Sequence, residues 1–525
     1  MVKRGNWPQN PTIYQIYPRS FNDTTGTGEG DLNGIIARLD YLADLGVDGI
    51  WLSPFYTSPM CDGGYDVADH RSVNPRFGTM DDFDRLVSGA HKAGLLVMID
   101  QVFNHTSDTH EWYRKSIARD PEFEDFYVWA DANPDGSPPS NWIGFFGYPA
   151  WKWVPERGQY CLHQFLPCQP CLNHYNDDVK QALADITAFW KDRGVDGFRY
   201  DAITSFFHDK TFTDNEAADA DTQALTPGPA NNLFTWQVHA NDMLPQDCAF
   251  FAGKLRAWAG DEMYLIGEIN DGPRSLEFAG DFAAEGRLDA GYTVDMAVRG
   301  IKADVIDDMA ARIGGDGELA WWFSSHDQPR HISRNGDGSA RDARMFAGLL
   351  LGLPGPLLIF QGDELGQPQA NLDKGDITDP FDILYWPDPP GRDGSRTPMV
   401  WDDGPGCGFS DHTPWLPICK PPDGSAHHQD TRDDSVLNFF RRAIALRKSA
   451  GLADLGLSVK ATDTDQIHLT LKKGQEPVAI VATNLATEAR ALPPDNEGME
   501  LILASDQPQD GVQPPRSTLW WRIIR

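Results

Sequence analysis

Four carboxylates stand at or just past the ends of short apolar runs: Asp100 in Leu95–Val102, Asp201 in Gly197–Ala202, Glu268 closing Met263–Glu268, and Asp327 just after Trp321–Ser325. Asn104 and His105, Arg199, and His326 accompany them. These are the residue types of general acid, general base and nucleophilic catalysis. A single Asp at a strand end serves as readily to cap the following helix. Four buried together would each cost several kcal/mol unless paired, so their convergence at one mouth argues for a chemical task. Arg199 lies two residues before Asp201, on the same strand face, where its charge favours the ionised carboxylate.

The elements that would position them recur through the first two-thirds of the chain. The runs Thr12–Tyr17, Gly49–Ser53, Leu95–Val102, Gly197–Ala202, Met263–Glu268, Gly291–Val294, Trp321–Ser325 and Pro356–Gln361 read as strands. Amphipathic helices lie between them, clearest at Ile35–Leu45, Asp81–Ala93, Val179–Arg193 and Ala340–Leu351. This alternation predicts an α/β fold, a closed (β/α)8 barrel whose chemistry sits on the loops after the strands. Residues 1–104 and 174–450 are assigned to the barrel. The connection 105–173, too long for an ordinary loop, is expected to be a small inserted domain. Gly366 to about Thr431 is crowded with Pro, Gly and Asp and could wall a pocket, and Asp434–Lys448 resumes as helix. Beyond Gly451 only strands follow, at Gln466–Leu471, Val478–Asn484, Leu501–Ala504 and Leu519–Ile524, predicting an antiparallel β domain over 451–525.

The formal net charge of −32 repels phosphate backbones and anionic lipids, so neither nucleic acid nor membrane is an expected partner. Hydrophobic residues make up 41% and no stretch is apolar enough to span a bilayer. Met1–Trp7 runs into a proline-rich polar stretch rather than an apolar signal core, so nothing directs secretion. The seven cysteines, Cys61, Cys161, Cys168, Cys171, Cys248, Cys407 and Cys419, show no paired metal-ligand spacing, and the lone Cys168-x-x-Cys171 sits in a loop-like stretch. A reduced, cytoplasmic setting is expected.

Asp100-Gln101-Val102-Phe103-Asn104-His105, Gly197-Phe198-Arg199-Tyr200-Asp201-Ala202, Gly267-Glu268 and Ser325-His326-Asp327 resemble, in order, the four conserved segments of the α-amylase family, glycoside hydrolase family 13. The likeness extends to Asn10–Pro18, Gly49–Pro54, Gly64–Val67 and Arg396–Met399. Within that family the chain looks most like exo-acting α-glucosidases and oligo-1,6-glucosidases. The resemblance implies a retaining enzyme acting on small α-glucosides, with Asp201 as nucleophile, Glu268 as general acid and base, and Asp327 stabilising the transition state. Glu268 must hold a proton near neutral pH, and retention requires two carboxyls roughly 5–5.5 Å apart. Asp62, Tyr65, His105, Arg199, His326 and Arg396 match sugar-binding positions. Taken singly, His105 could be a core histidine, Tyr65 a packing aromatic and Arg396 a surface ion pair.

The chemistry calls for no cofactor. The loop Asp23–Asp31 matches a family loop that holds calcium or magnesium, through Asp23, Thr25, Thr27, Glu29 and Asp31, with Thr27 where a carboxylate is usual. Cys171 stands where relatives carry an acid in Gln-Pro-Asp-Leu-Asn, and the small Ala202 follows the nucleophile. Both bear on linkage, with maltose-type oligosaccharides and sucrose as the expected range. The alternatives are a transglucosidase or sucrose isomerase using the same intermediate, and a non-catalytic barrel relative, which the complete carboxylate set disfavours. Oligomeric state is not legible.

Overall fold

The structure, a computed structural model, describes residues 4–311, 319–388, 391–463, 465–492, 498–509 and 511–524. Its central sheet holds seven parallel strands in the spatial order Ala290–Tyr292, Tyr264–Glu268, Gly197–Tyr200, Leu96–Gln101, Gly49–Leu52, Thr12–Ile16, Leu357–Phe360. Parallel bridges Gly291–Leu319 and Trp321–Leu357 join its two edges, and the sheet curls into the expected (β/α)8 barrel. These strands read as near-continuous apolar runs because both faces are covered: Ile13, Tyr14, Ile50, Leu52, Val97, Met98 and Ile99 are fully buried.

The expected strand Trp321–Ser325 is reduced to those isolated bridges. Its bridge at Trp321 meets the first residue of Leu357–Phe360, directly after Pro354 and Pro356, which have no N–H to give. Trp321 compensates by donating its backbone N–H to Pro356 and its indole N–H to Pro354.

The helices follow the amphipathic pattern and are capped locally. Thr79 and Asp82 form a reciprocal capping box at the start of Met80–Lys92, and Asn176 caps Asp177–Asp192. The expected helix Ile35–Leu45 is instead two, Leu32–Ile36 and Leu39–Leu45. Asp31 starts the first early by accepting from the Gly34 N–H, and Arg38 breaks the run, its guanidinium lying over the Trp401 ring.

Residues 105–173 carry the helix Glu111–Ile117 and a three-stranded antiparallel sheet of Trp129–Ala130, Gln159–Leu162 and Trp151–Val154. A second excursion, not singled out in the sequence, follows the strand Gly197–Tyr200. It contains the hairpin Glu216–Ala217/Gln237–Val238 and the helix Ala220–Leu225. The C-terminal antiparallel sheet has five strands where four were expected, ordered Gly456–Asp463, Gln466–Lys473, Glu476–Asn484, Ser517–Ile523, Met499–Ala504. It sits on the helix Ala340–Gly352, where Thr518 donates to the Met345 carbonyl and the Trp520 indole to that of Gly348. Gly348 and Gly352 permit this approach, since a Cβ at either would come within 3.0 Å of Thr518 or Val481.

One expectation is overturned. The cysteines are not all reduced: Cys61 and Cys168 are joined in a disulfide across 107 residues. Sequence spacing cannot reveal such a pairing. Cys161, Cys171, Cys248, Cys407 and Cys419 are free. Among the described residues no helix is long and apolar enough to cross a membrane.

Candidate active site

The carboxyl ends of the strands open into a cavity of about 810 Å³ lined by Asp62, Tyr65, His105, Asp201, Glu268, His326 and Asp327 among others. Seven of the nine expected catalytic and sugar-binding residues therefore share one wall. The other two, Arg199 and Arg396, are buried behind the carboxylates and act on them rather than facing the cavity.

Arg199 is the hub. One Nη1 lies 2.6 Å from Asp100 Oδ1 and 2.8 Å from Asp201 Oδ1, and Nη2 lies 2.6 Å from Glu268 Oε2. Nη2 and Nε also donate to the Tyr292 hydroxyl at 2.6 and 3.0 Å. Asp201 and Glu268 thus rest on neighbouring nitrogens of one planar fork, a geometry that lysine could not supply. Ala202 turns into the left-handed region (φ 43°, ψ 39°), and its N–H points at Glu268 Oε2, 3.2 Å away.

Three carboxylates around one guanidinium are undercompensated. Burial pushes the Asp201 carboxyl well above the ordinary range, Arg199 opposes, and Glu268 and Asp100 add to the rise. Arg199 favours the ionised carboxylate, as its position on the strand implies, but desolvation of a group only 7% exposed is the larger effect. Asp100 is raised by burial to about 6 against the pull of Arg199.

Asp327 has the opposite balance. Burial raises it, but Arg392, His326 and Arg396 together hold it below the usual carboxylate range. Arg392 Nη2 and Arg396 Nη2 meet the same oxygen, Oδ1, at 2.5 and 3.1 Å. Arg396 is anchored by Asp379 at 2.9 Å and by the His326 carbonyl at 2.7 Å. The Gln15 amide donates to His326 Nδ1 at 2.8 Å, which leaves Nε2–H for the Tyr65 hydroxyl at 2.6 Å and Asp327 at 3.2 Å. Burial lowers His326 and His105 to about 3, so both rings are neutral near pH 7. Tyr65 stacks on His326, with centroids 5.2 Å apart.

Asp62 accepts from the Gln169 amide at 3.0 Å, and that amide also meets His105 Nε2 at 3.0 Å. Arg392 Nη1 is 3.5 Å from Asp62, whose carboxyl is raised by burial to about 6. Cys171, two residues past Gln169, is buried, with its sulfur 3.5 Å from the Gln164 side-chain oxygen.

Sequence reading missed Arg392, Asp379, Gln169 and Tyr292. Arg392 stands four residues, one helical turn, before Arg396 on Arg392–Ser395, a spacing that could have flagged it. Tyr292 closes the sixth strand, where the strand-end rule applies.

In the Asp23–Asp31 loop the side chains are committed to protein partners. Asp23 accepts from the N–H groups of Thr25, Gly26 and Gly28 and from Ser410. Asp31 accepts from Thr24 and Gly34, Glu29 pairs with Arg19 and Arg76, and the Thr25 and Thr27 hydroxyls bond each other. Among the described residues no group of three or more His, Cys, Asp or Glu is arranged to hold a metal ion. The donor set does not fit the expected ion, because two guanidiniums already neutralise Glu29.

An eight-fold barrel with carboxylates clustered on arginines at its carboxyl mouth defines an enzyme of acid–base chemistry on a pocketed substrate. Residues 15–454 match the alpha amylase catalytic domain, and the chain belongs to that family of glycoside hydrolases. It is 45% identical over 457 residues to a probable alpha-glucosidase of Rhizobium meliloti (strain 1021), covering 85% of this chain and 83% of the relative. Among solved structures, an alpha-glucosyl transfer enzyme superposes with a TM-score of 0.92 at 39% identity over 98% of this chain and 99% of the other. The trehalulose synthase from Pseudomonas mesoacidophila MX-45 gives 0.87 at 30%, over 98% and 100%.

Proposed function

We propose that the protein is a retaining, exo-acting α-glucosidase that releases terminal non-reducing glucose from short α-glucosides. The observation that carries this reading is the seating of Asp201 and Glu268 on adjacent nitrogens of Arg199 at the cavity wall. Such close pairing suits a nucleophile and an acid rather than two carboxylates separated by a water. Glu268 gives its proton to the glycosidic oxygen while Asp201 attacks the anomeric carbon. Glu268 then takes a proton from the water that releases glucose. Asp327, kept ionised by Arg392 and Arg396, receives sugar hydroxyls and stabilises the positive charge developing on the ring. Asp62 and His105, with the Tyr65–His326 stack, shape the glucose seat.

The test is the configuration of the first-formed product. Proton NMR of an aryl α-glucoside digest, in which every glucose released comes from the cleaved bond, should show α-glucose before mutarotation, and a 5-fluoro-glucosyl fluoride should label Asp201. Initial β-glucose would sink the mechanism.

Transfer to a second sugar or alcohol is a competing outcome of the same intermediate. It is favoured by an apolar part of the cavity lining, Ile143, Phe145, Phe165, Phe234 and Met243, that could seat an acceptor in place of water. Product analysis at high maltose distinguishes the two: a majority of transfer products would make this a transglucosidase.

A further inference from the structure

Cys61 and Cys168 each sit directly before a residue of the glucose seat. Cys61 precedes Asp62, which lines the cavity, and Cys168 precedes Gln169, whose amide bonds both Asp62 and His105. The disulfide and the Gln169–Asp62 hydrogen bond are therefore consecutive rungs joining the same two loops. Both loops are irregular. The first turns through Met60, Gly63 and Gly64 at positive φ and is cinched by Asp66, which accepts from the N–H groups of Cys61 and Asp62. The second is held from the other side, where the Asp108 N–H donates to the Cys168 carbonyl and the Thr106 N–H to that of Pro170.

Reagents can reach this bond. Cys61 is exposed and Cys168 half-buried, whereas four of the five free cysteines are buried.

We infer that the Cys61–Cys168 disulfide is a positioning element for substrate recognition, holding Asp62 against Gln169, and that its reduction weakens glucose binding reversibly. A dithiol reductant supplies two electrons and two protons. The S–S bond breaks, Cys61 and Cys168 become thiols, and the reductant closes into its own disulfide. Opened, the two loops keep only non-covalent ties, and Asp62 loses its fixed placement while Asp201 and Glu268, held on the barrel strands by Arg199, do not move. In a thiol-reducing compartment such as the cytoplasm expected from the sequence, the bond would then be a state of the enzyme rather than a fixture.

The inference rests on the α-glucosidase reading for its activity assay, but not for its binding assay. Denatured, non-reduced protein should titrate five thiols, the seven cysteines less the two that are joined, and dithiothreitol should raise this to seven. Over that change KM for an aryl α-glucoside should rise about ten- to hundredfold, the loss of one hydrogen bond to a charged group, with kcat within about twofold. Reoxidation should restore it. Cys61→Ser/Cys168→Ser should show the raised KM with or without reductant, and Asp62→Asn should show no further response. Seven thiols at the outset, or an unchanged KM once seven are free, would overturn the inference. So would a lower melting temperature at constant KM, the mark of a brace and nothing more. Glucose affinity by calorimetry in both redox states reads the same effect without turnover, so a protein that hydrolyses no glucoside would refute the hydrolase reading and leave this one measurable.

Discussion

Arg199 carries one positive charge to three carboxylates, and the deficit has measurable consequences at single residues. The raised value of Asp201 means that its ionised form is disfavoured in the fold. A group raised in this way contributes stability below its unfolded value and loses it as pH rises, so at neutral pH Asp201 is a destabilising residue. Asp201→Asn should lower kcat by about 10⁴-fold or more while leaving the melting temperature unchanged or higher. Substantial residual turnover would remove Asp201 from the chemistry. Asp62 and Asp100, both raised by burial to about 6, set a pH window. As pH falls through about 6, protonation of Asp62 weakens it as an acceptor, so kcat/KM should decline on the acid side there. The stability contribution of these two runs the other way, present below their ordinary value near 3.8 and lost as pH climbs through 6. A pH–rate profile beside a pH–melting profile would show the opposed trends.

At the scale of elements, the loop Asp23–Asp31 is braced by hydrogen bonds to Asp23 and Asp31 and by the Arg19–Glu29–Arg76 pairing. Chelation should therefore leave the melting temperature unchanged within about 1 °C, whereas a fall of several degrees would assign the ion expected from the sequence to this loop. The elements that sequence reading located were those with an unambiguous period. Buried parallel strands such as Leu96–Gln101 declare themselves as apolar runs, and Met80–Lys92 by its periodicity and its Thr79 cap. The strand Gly456–Asp463 escaped because Lys460, Thr462 and Asp463 dilute its pattern. The excursion containing Ala220–Leu225 escaped because its helix buries no side chain and so leaves no apolar signature, although it walls the cavity. Of the site, the residues at strand ends were legible. The Cys61–Cys168 bond was not, because it becomes meaningful only when segments distant in sequence meet.

For the whole molecule, a net charge of −32 has to be folded into one body against its own repulsion. Raising salt from 0.01 to 1 M shortens the screening length from about 30 to about 3 Å, and the melting temperature should rise by a few degrees over that range. A decrease would mean that attractive ion pairs outweigh the repulsion. The C-terminal sheet is tied to the barrel helix Ala340–Gly352 through the side chains of Thr518 and Trp520. It should melt with the barrel rather than ahead of it.

The barrel's closing seam separates the three central carboxylates into two kinds. Asp201 and Glu268 issue from strands with a parallel ladder on each side, while Asp327 follows a segment attached by single bridges and is located by guanidiniums reaching in from the chain near residue 392. Warming loosens long side chains before it parts a continuous ladder. The enzyme should accordingly fall silent some degrees below the point at which it unfolds, and cooling from that interval should return full activity.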